Sequence, residues 1–282
     1  MTFGAVLLVA AVGAAQQPGR RAWQHRLELD IPLPVPVVAL DPVNPYAVPV
    51  DTAPRRLNAI PPKKLQLAGW AKVAAYVDSR GQCRGAVPLV LPFPGITQEL
   101  TGDLMKTRFE PARAGSAARP SWIVLRIALA GKLKESAVVD QDLDLPDPSS
   151  PPRREAVGIV YPAGRLASLP AADPSTLTSS AVPRRFSIRI PGGEREVAIH
   201  ALVHVTASGR CDQFIPVAVP GGVVPWLSAY LASWRLEPAT RNGEPVDCWM
   251  KYTARVRLKM GTLSSTSVRV LTDEHFVPQD AP

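Results

Sequence analysis

The chain has 282 residues, of which 46% are hydrophobic, so two domains of ordinary size with buried cores are within reach. Its net charge of +8 favours anionic partners, but there is no Lys/Arg block of the length that marks a nucleic-acid tail, so no nucleic acid is expected. The 31 prolines exceed the usual ~5% and follow no collagen-like period.

In chain order, Phe3 to Ala15 is an apolar run ending in small residues. It is short of the ~20 residues that span a bilayer. Residues 1–15 therefore read as a signal peptide or a short anchor, and the rest of the protein as periplasmic, or anchored at the inner membrane if the run stays uncut. Residues 16–53, with Pro32, Pro34, Pro36, Pro42, Pro45 and Pro49, form a Pro-rich extended segment. A first unit spans 54–134. It predicts a strand over Lys72–Asp78, a turn at Ser79–Gln82 and a second strand over Cys83–Leu91. A helix follows over Ile96–Thr107 with Ile96, Leu100 and Leu104 on one face, and then a third strand over Trp122–Leu133. Residues 135–182 read as a linker containing the acidic patch Asp140, Asp142, Asp144 and Asp147. Within it, Val157–Tyr161 is a short strand candidate.

A second unit, 183–262, repeats the first. Its strands are expected over Val197–Val205 and Cys211–Val219, its helix over Val223–Trp234 and its last strand over Trp249–Met260. Gly209 and Cys211 answer Gly81 and Cys83. Glu237, Pro238, Ala239 and Trp249 answer Glu110, Pro111, Ala112 and Trp122. The offset between the copies stays nearly constant, which signals an internal duplication. The tail, 263–282, holds one strand candidate, Ser267–Leu271.

The second unit carries Trp234-Arg235-Leu236-Glu237-Pro238-Ala239, then Asn242-Gly243-Glu244-Pro245-Val246, then a long alternating strand. This order resembles the C-terminal domain of TonB-type energy transducers. The first unit carries a degenerate copy, with Ala114-Gly115-Ser116 in place of the Asn-Gly turn. The resemblance implies an α+β fold of two tandem domains, each a helix packed on a three-stranded antiparallel sheet. It also implies a Gram-negative cell envelope, and a last strand able to pair with a segment of an outer-membrane receptor. The chain departs from the family in having two copies and no long spacer.

In the last strand, Met250, Tyr252, Ala254, Val256, Leu258 and Met260 alternate with Trp249, Lys251, Thr253, Arg255, Arg257 and Lys259. Such alternation puts one face on a core and the other in water. If this strand is an edge, Trp249, Lys251, Thr253, Arg255 and Arg257 form a partner-binding row that favours an acidic peptide of an envelope or outer-membrane protein. Self-association and a merely solvated basic face are the other readings of the row. Arg108, Pro111, Arg235, Pro238 and Gly243 read as structural motif residues, the two arginines each following a helix. Three cysteines fit an exported protein with one disulfide, for which Cys211 and Cys248 are the candidates. Trp226, Tyr230 and Trp234 read as helical core. His200 and His204 are too far apart along a strand to share a metal. No phosphate loop, nucleophile elbow or zinc signature occurs. The expectation is a transmembrane-transport-related binding protein and not an enzyme, with no catalytic residue, metal, cofactor or small-molecule substrate. The alternatives are a structural envelope protein without a peptide partner, and an atypical membrane-anchored TonB energy transducer.

Overall fold

A computed structural model describes residues 33–38, 49–147 and 163–279. The expected signal peptide or anchor and the strand candidate Val157–Tyr161 lie outside the described residues. The first part of the chain forms β1 (Arg55–Asn58), β2 (Gln66–Val77), β3 (Cys83–Val90), α1 (Thr97–Lys106), β4 (Phe109–Glu110), β5 (Ala112–Ala114), β6 (Ala117–Arg119) and β7 (Ser121–Asp144). The second part forms β8 (Val182–Pro183), β9 (Arg189–Ile190), β10 (Gly193–Val205), β11 (Cys211–Ala218), α2 (Val224–Ala232), β12 (Arg235–Glu237), β13 (Ala239–Arg241), β14 (Glu244–Val246), β15 (Cys248–Met260) and β16 (Leu263–Leu271).

The expected α+β fold of two separate helix-on-three-strand domains is overturned. Of the described residues 53% are strand and 14% helical, and the main strands join one curled eight-stranded sheet. The physical cause is the length of the third strand in each repeat. β7 does not stop at Leu133. It runs 24 residues in all, on to Asp144 through the acidic stretch expected to be linker, and that continuation pairs antiparallel with β15 from Lys251↔Asp144 to Met260↔Leu133. β15 in turn runs on past Gly261, whose N–H donates to the Lys132 carbonyl at 2.7 Å, into β16. β16 then pairs with the first half of β7, from Ser264↔Ala130 to Leu271↔Val124. β7 and β15–β16 thus form one long antiparallel ribbon, and each repeat's hairpin adds to it: β2 on the first half of β7, β10 on β15. The tail therefore supplies a full strand beginning at Leu263, earlier than the expected Ser267.

Locally the two repeats are built alike. Gly81 and Gly209 hold φ of +74° and +71° in the hairpin turns, where a Cβ would stand 2.1 Å from the Phe109 carbonyl oxygen and 2.0 Å from that of Leu236. Each turn is clamped to the segment after the helix: the Phe109 N–H donates to the Gly81 carbonyl at 2.9 Å, and the Leu236 N–H to the Gly209 carbonyl at 3.0 Å. Asn242 and Gly243, both at positive φ, form the two-residue turn between β13 and β14, as a primed hairpin turn requires. Gly115 and Ser116 occupy the same place between β5 and β6.

One contiguous apolar core draws on both repeats. Leu100 and Leu104 of α1 are fully buried, with Phe93 and Ile96 beside them. Trp226, Leu227, Tyr230 and Leu231 of α2 are buried with Trp234 and Tyr252. Trp226 stacks on Tyr230 at 5.1 Å, and Trp234 meets Tyr252 edge-on at 5.3 Å. The aromatic stripe of this helix is core, as its spacing suggested.

Candidate strand-addition edge

The sequence singled out β15 as the strand open to a partner. In the structure it is interior from Lys251 onward: β10 pairs with all of it on one side, and the second half of β7 pairs with Lys251–Met260 on the other. Its basic row is matched within the sheet. Arg257 and Lys259 stand opposite Glu196 and Glu194 of β10, and Lys251, Thr253 and Arg255 stand opposite Asp144, Asp142 and Asp140 of β7. Arg255 and Asp140 form an exposed ion pair at 3.0 Å. Trp249 packs on His204, ring centroids 5.1 Å apart, and His204 Nδ1 lies 2.6 Å from Asp212. The edge expected at Lys251, Thr253, Arg255 and Arg257 is therefore closed, while Trp249 precedes the β7 pairing and pairs with β10 alone. The acidic strand that this row called for is the chain's own.

One open stretch of backbone lies one strand further out; β3, β9 and β11 are the other strands of this sheet with a single strand neighbour among the described residues. Residues Leu133 to Asp144 of β7 pair with β15 alone. Among the described residues no strand takes their other edge, whereas Ser121 to Lys132 pair with β2, and Val124 to Ala130 also with β16. No residue of β7 after Leu133 is fully buried. The register slips at Lys134 and again at Val139, which is 52% exposed. Such bulges are common at sheet edges.

This half-strand is anchored through its core-facing side. Trp226 Nε1 donates to Ser136 Oγ at 2.9 Å, and the Tyr230 hydroxyl reaches Gln141 Oε1 at 3.3 Å. Arg56 donates to Gln141 and to the Tyr230 hydroxyl. Its solvent face carries Glu135, Asp140, Asp142 and Asp144. A hydrogen bond and like charge from Asp142 hold the Asp144 carboxyl above its usual range, against the pull of Lys251. The segment from Arg56 to Leu65 passes along the open side, but its contacts there are few: Arg56 to Gln141, Ser136 Oγ to the Pro62 carbonyl, and the Leu133 N–H to the Leu65 carbonyl. Pro61 and Pro62 have no N–H to donate, which explains why this segment does not close the edge as a strand. Within that segment Leu57 and Ile60 are 57% and 73% exposed; β1 pairs with β12, and the Ile60 N–H donates to Ser233 Oγ at 3.2 Å.

The disulfide expected between Cys211 and Cys248 is not formed. Both thiols and that of Cys83 are free and buried. Cys211 and Cys248 both stand opposite Val205, one on each flanking strand. Two strand spacings put their Cα atoms about 10 Å apart, beyond the ~7 Å a disulfide can bridge. Burial pushes the thiols up to about 11 for Cys83, about 12 for Cys211 and about 11 for Cys248. The motif residues serve the clamp and the turns. Arg108 and Arg235 are exposed, Arg235 donating to the Trp234 carbonyl at 2.7 Å, while Pro111 and Pro238 are half-buried and Gly243 makes its turn. Among the described residues no cluster of three or more His, Cys, Asp or Glu could hold a metal ion, and no helix is long and apolar enough to cross a membrane.

Comparison with models of known protein families, with curated proteins and with solved structures found no match.

Proposed function

We propose that the chain is a non-enzymatic binding protein of the bacterial envelope that takes up an extended segment of another envelope protein as an added strand. The observation that carries this is the edge of β7 from Leu133 to Asp144, which among the described residues is paired with a strand on one side only and carries the exposed Val139. A free row of N–H and C=O groups is a template for another chain, and main-chain bonds give such complexes their affinity. The envelope setting rests on the apolar N-terminal run and on the repeated motif order that resembles TonB-type C-terminal domains. Energy transduction is the narrower alternative and requires the N-terminal run to remain as an anchor.

Photocrosslinking from native envelopes tests the proposal. With a photoreactive residue at Val139, a discrete adduct with one envelope protein is expected, and a matched probe at Arg189 of β9 serves as control. Capture of nothing, or equal capture at both positions, would contradict it.

A further inference from the structure

The edge also defines its occupant, an inference that rests on the strand-addition proposal above. We infer that the segment received at Leu133–Asp144 is basic and apolar by turns, with Lys or Arg opposite Glu135, Asp140, Asp142 and Asp144, and not the acidic peptide that the charges of β15 first suggest.

Three observations converge on this chemistry. First, the basic row of β15 is already opposed on both sides: by Glu194 and Glu196 on β10, and by Glu135, Asp140, Asp142 and Asp144 on β7. Of those cations Arg255 forms an exposed ion pair with Asp140, and from Lys251 to Lys259 none has an open strand edge beside it. Second, the outermost strand shows the opposite sign. Its exposed residues are Lys134, Glu135, Ala137, Val139, Asp140, Asp142 and Asp144, four acids to one base, and the repulsion between Asp142 and Asp144 is only partly met by Lys251. Directly opposed residues of an added strand lie about 5 Å from these carboxylates, so a cation there stabilises the pair and an anion repels it. Third, β15 is itself a template. It is the strand already seated on the other edge of this segment, and it reads Lys-Tyr-Thr-Ala-Arg-Val-Arg-Leu-Lys over Lys251 to Lys259, basic or polar on one face and apolar on the other. A second strand of that pattern would repeat the same face-by-face complementarity, its apolar side chains on the side of Ser136, Val138, Gln141 and Leu143. A second copy of the chain pairing through this edge would instead set one acidic row against another.

The test uses the full chain and three labelled synthetic decapeptides, all with the same apolar residues at alternate positions. The intervening positions hold lysine in the first, glutamate in the second and threonine in the third. Binding is followed by fluorescence anisotropy at low and high salt, with amide exchange recorded for β7. The expected result is preferential binding of the lysine peptide, weakened by salt. The β7–β15 pairing stays protected, and Asp142→Asn/Asp144→Asn weakens binding roughly tenfold. Those two carboxylates are exposed, and an unchanged melting curve shows that the variant is folded. Tighter binding of the glutamate peptide, with loss of protection where β7 meets β15, would overturn the inference in favour of displacement of the chain's own acidic strand. Equal binding of all three would overturn the charge rule and leave strand addition standing. Binding of none, or a dimer in sedimentation that no peptide dissociates, would remove the strand-addition proposal together with the inference.

Discussion

The two halves of β7 are one continuous strand in two different environments. From Ser121 to Lys132 it is flanked by β2, with β16 on the other side over Val124–Ala130, and it buries Ile123, Val124, Leu125, Ile127 and Leu129. From Leu133 to Asp144 it has one strand neighbour among the described residues and, past Leu133, only half-buried or exposed side chains. The first half is held by the apolar core. The second is held by ladder hydrogen bonds, by Trp226 and Tyr230 reaching across from α2, and by exposed charge pairs. Continuity of backbone thus does not imply uniform stability: a strand takes its local stability from what covers it. Here the weakly covered half is also the half with a free edge.

Substitutions along and beside β7 sharpen this contrast. Leu125→Ala, at a fully buried position of the first half, is expected to cost about 2–5 kcal/mol of global stability in a denaturant melt. A cost below that range would mean that the first half is not the centre of the core. Gly209→Ala should cost about 1–3 kcal/mol, since the new Cβ meets the Leu236 carbonyl from a left-handed backbone. The same cost is expected at Gly81, so unequal effects would break the equivalence of the two clamps. In the second half, Val138→Ala at a half-buried site is expected to cost roughly 1 kcal/mol. Asp140→Asn, which removes an exposed partner of Arg255, should cost about 0.2–1 kcal/mol, vanishing at high salt. A global loss from Asp140→Asn as large as that from Leu125→Ala would erase the distinction between the halves.

Much of each repeat was legible in the sequence. Period-two alternation marked β2, β10 and β15, helical spacing marked α1 and α2, and the matched glycines marked the hairpin turns. The extension of β7 was hidden for physical reasons. Its core-facing positions are Ser136, Val138, Gln141 and Leu143, too polar for an apolar alternation, and the slip at Val139 shifts the phase midway. Its acids, followed by Pro146 and Pro148, look like a solvated linker until the basic row more than a hundred residues later is set beside them. The same long-range pairing misled the choice of edge. Alternation along Trp249–Met260 showed which face is buried, but whether a strand is an edge depends on its neighbours, and the missing neighbour came from the stretch read as linker. The cysteines failed similarly: Cys211 and Cys248 belong to one sheet but have β10 between them.

Residue-resolved amide exchange along β7 tests the central claim most directly. In a strand successive N–H groups point to opposite edges. Val124 to Ala130 should therefore be protected without interruption, because both edges are paired. From Ser136 to Asp144 protection should alternate, with the amides directed at β15 slow and those directed outward exchanging at near-solvent rates. Uninterrupted protection through Asp144 would show that the edge is covered and would remove the basis for strand addition. Uniformly fast exchange from Ser136 onward would show that the second half does not pair with β15 at all.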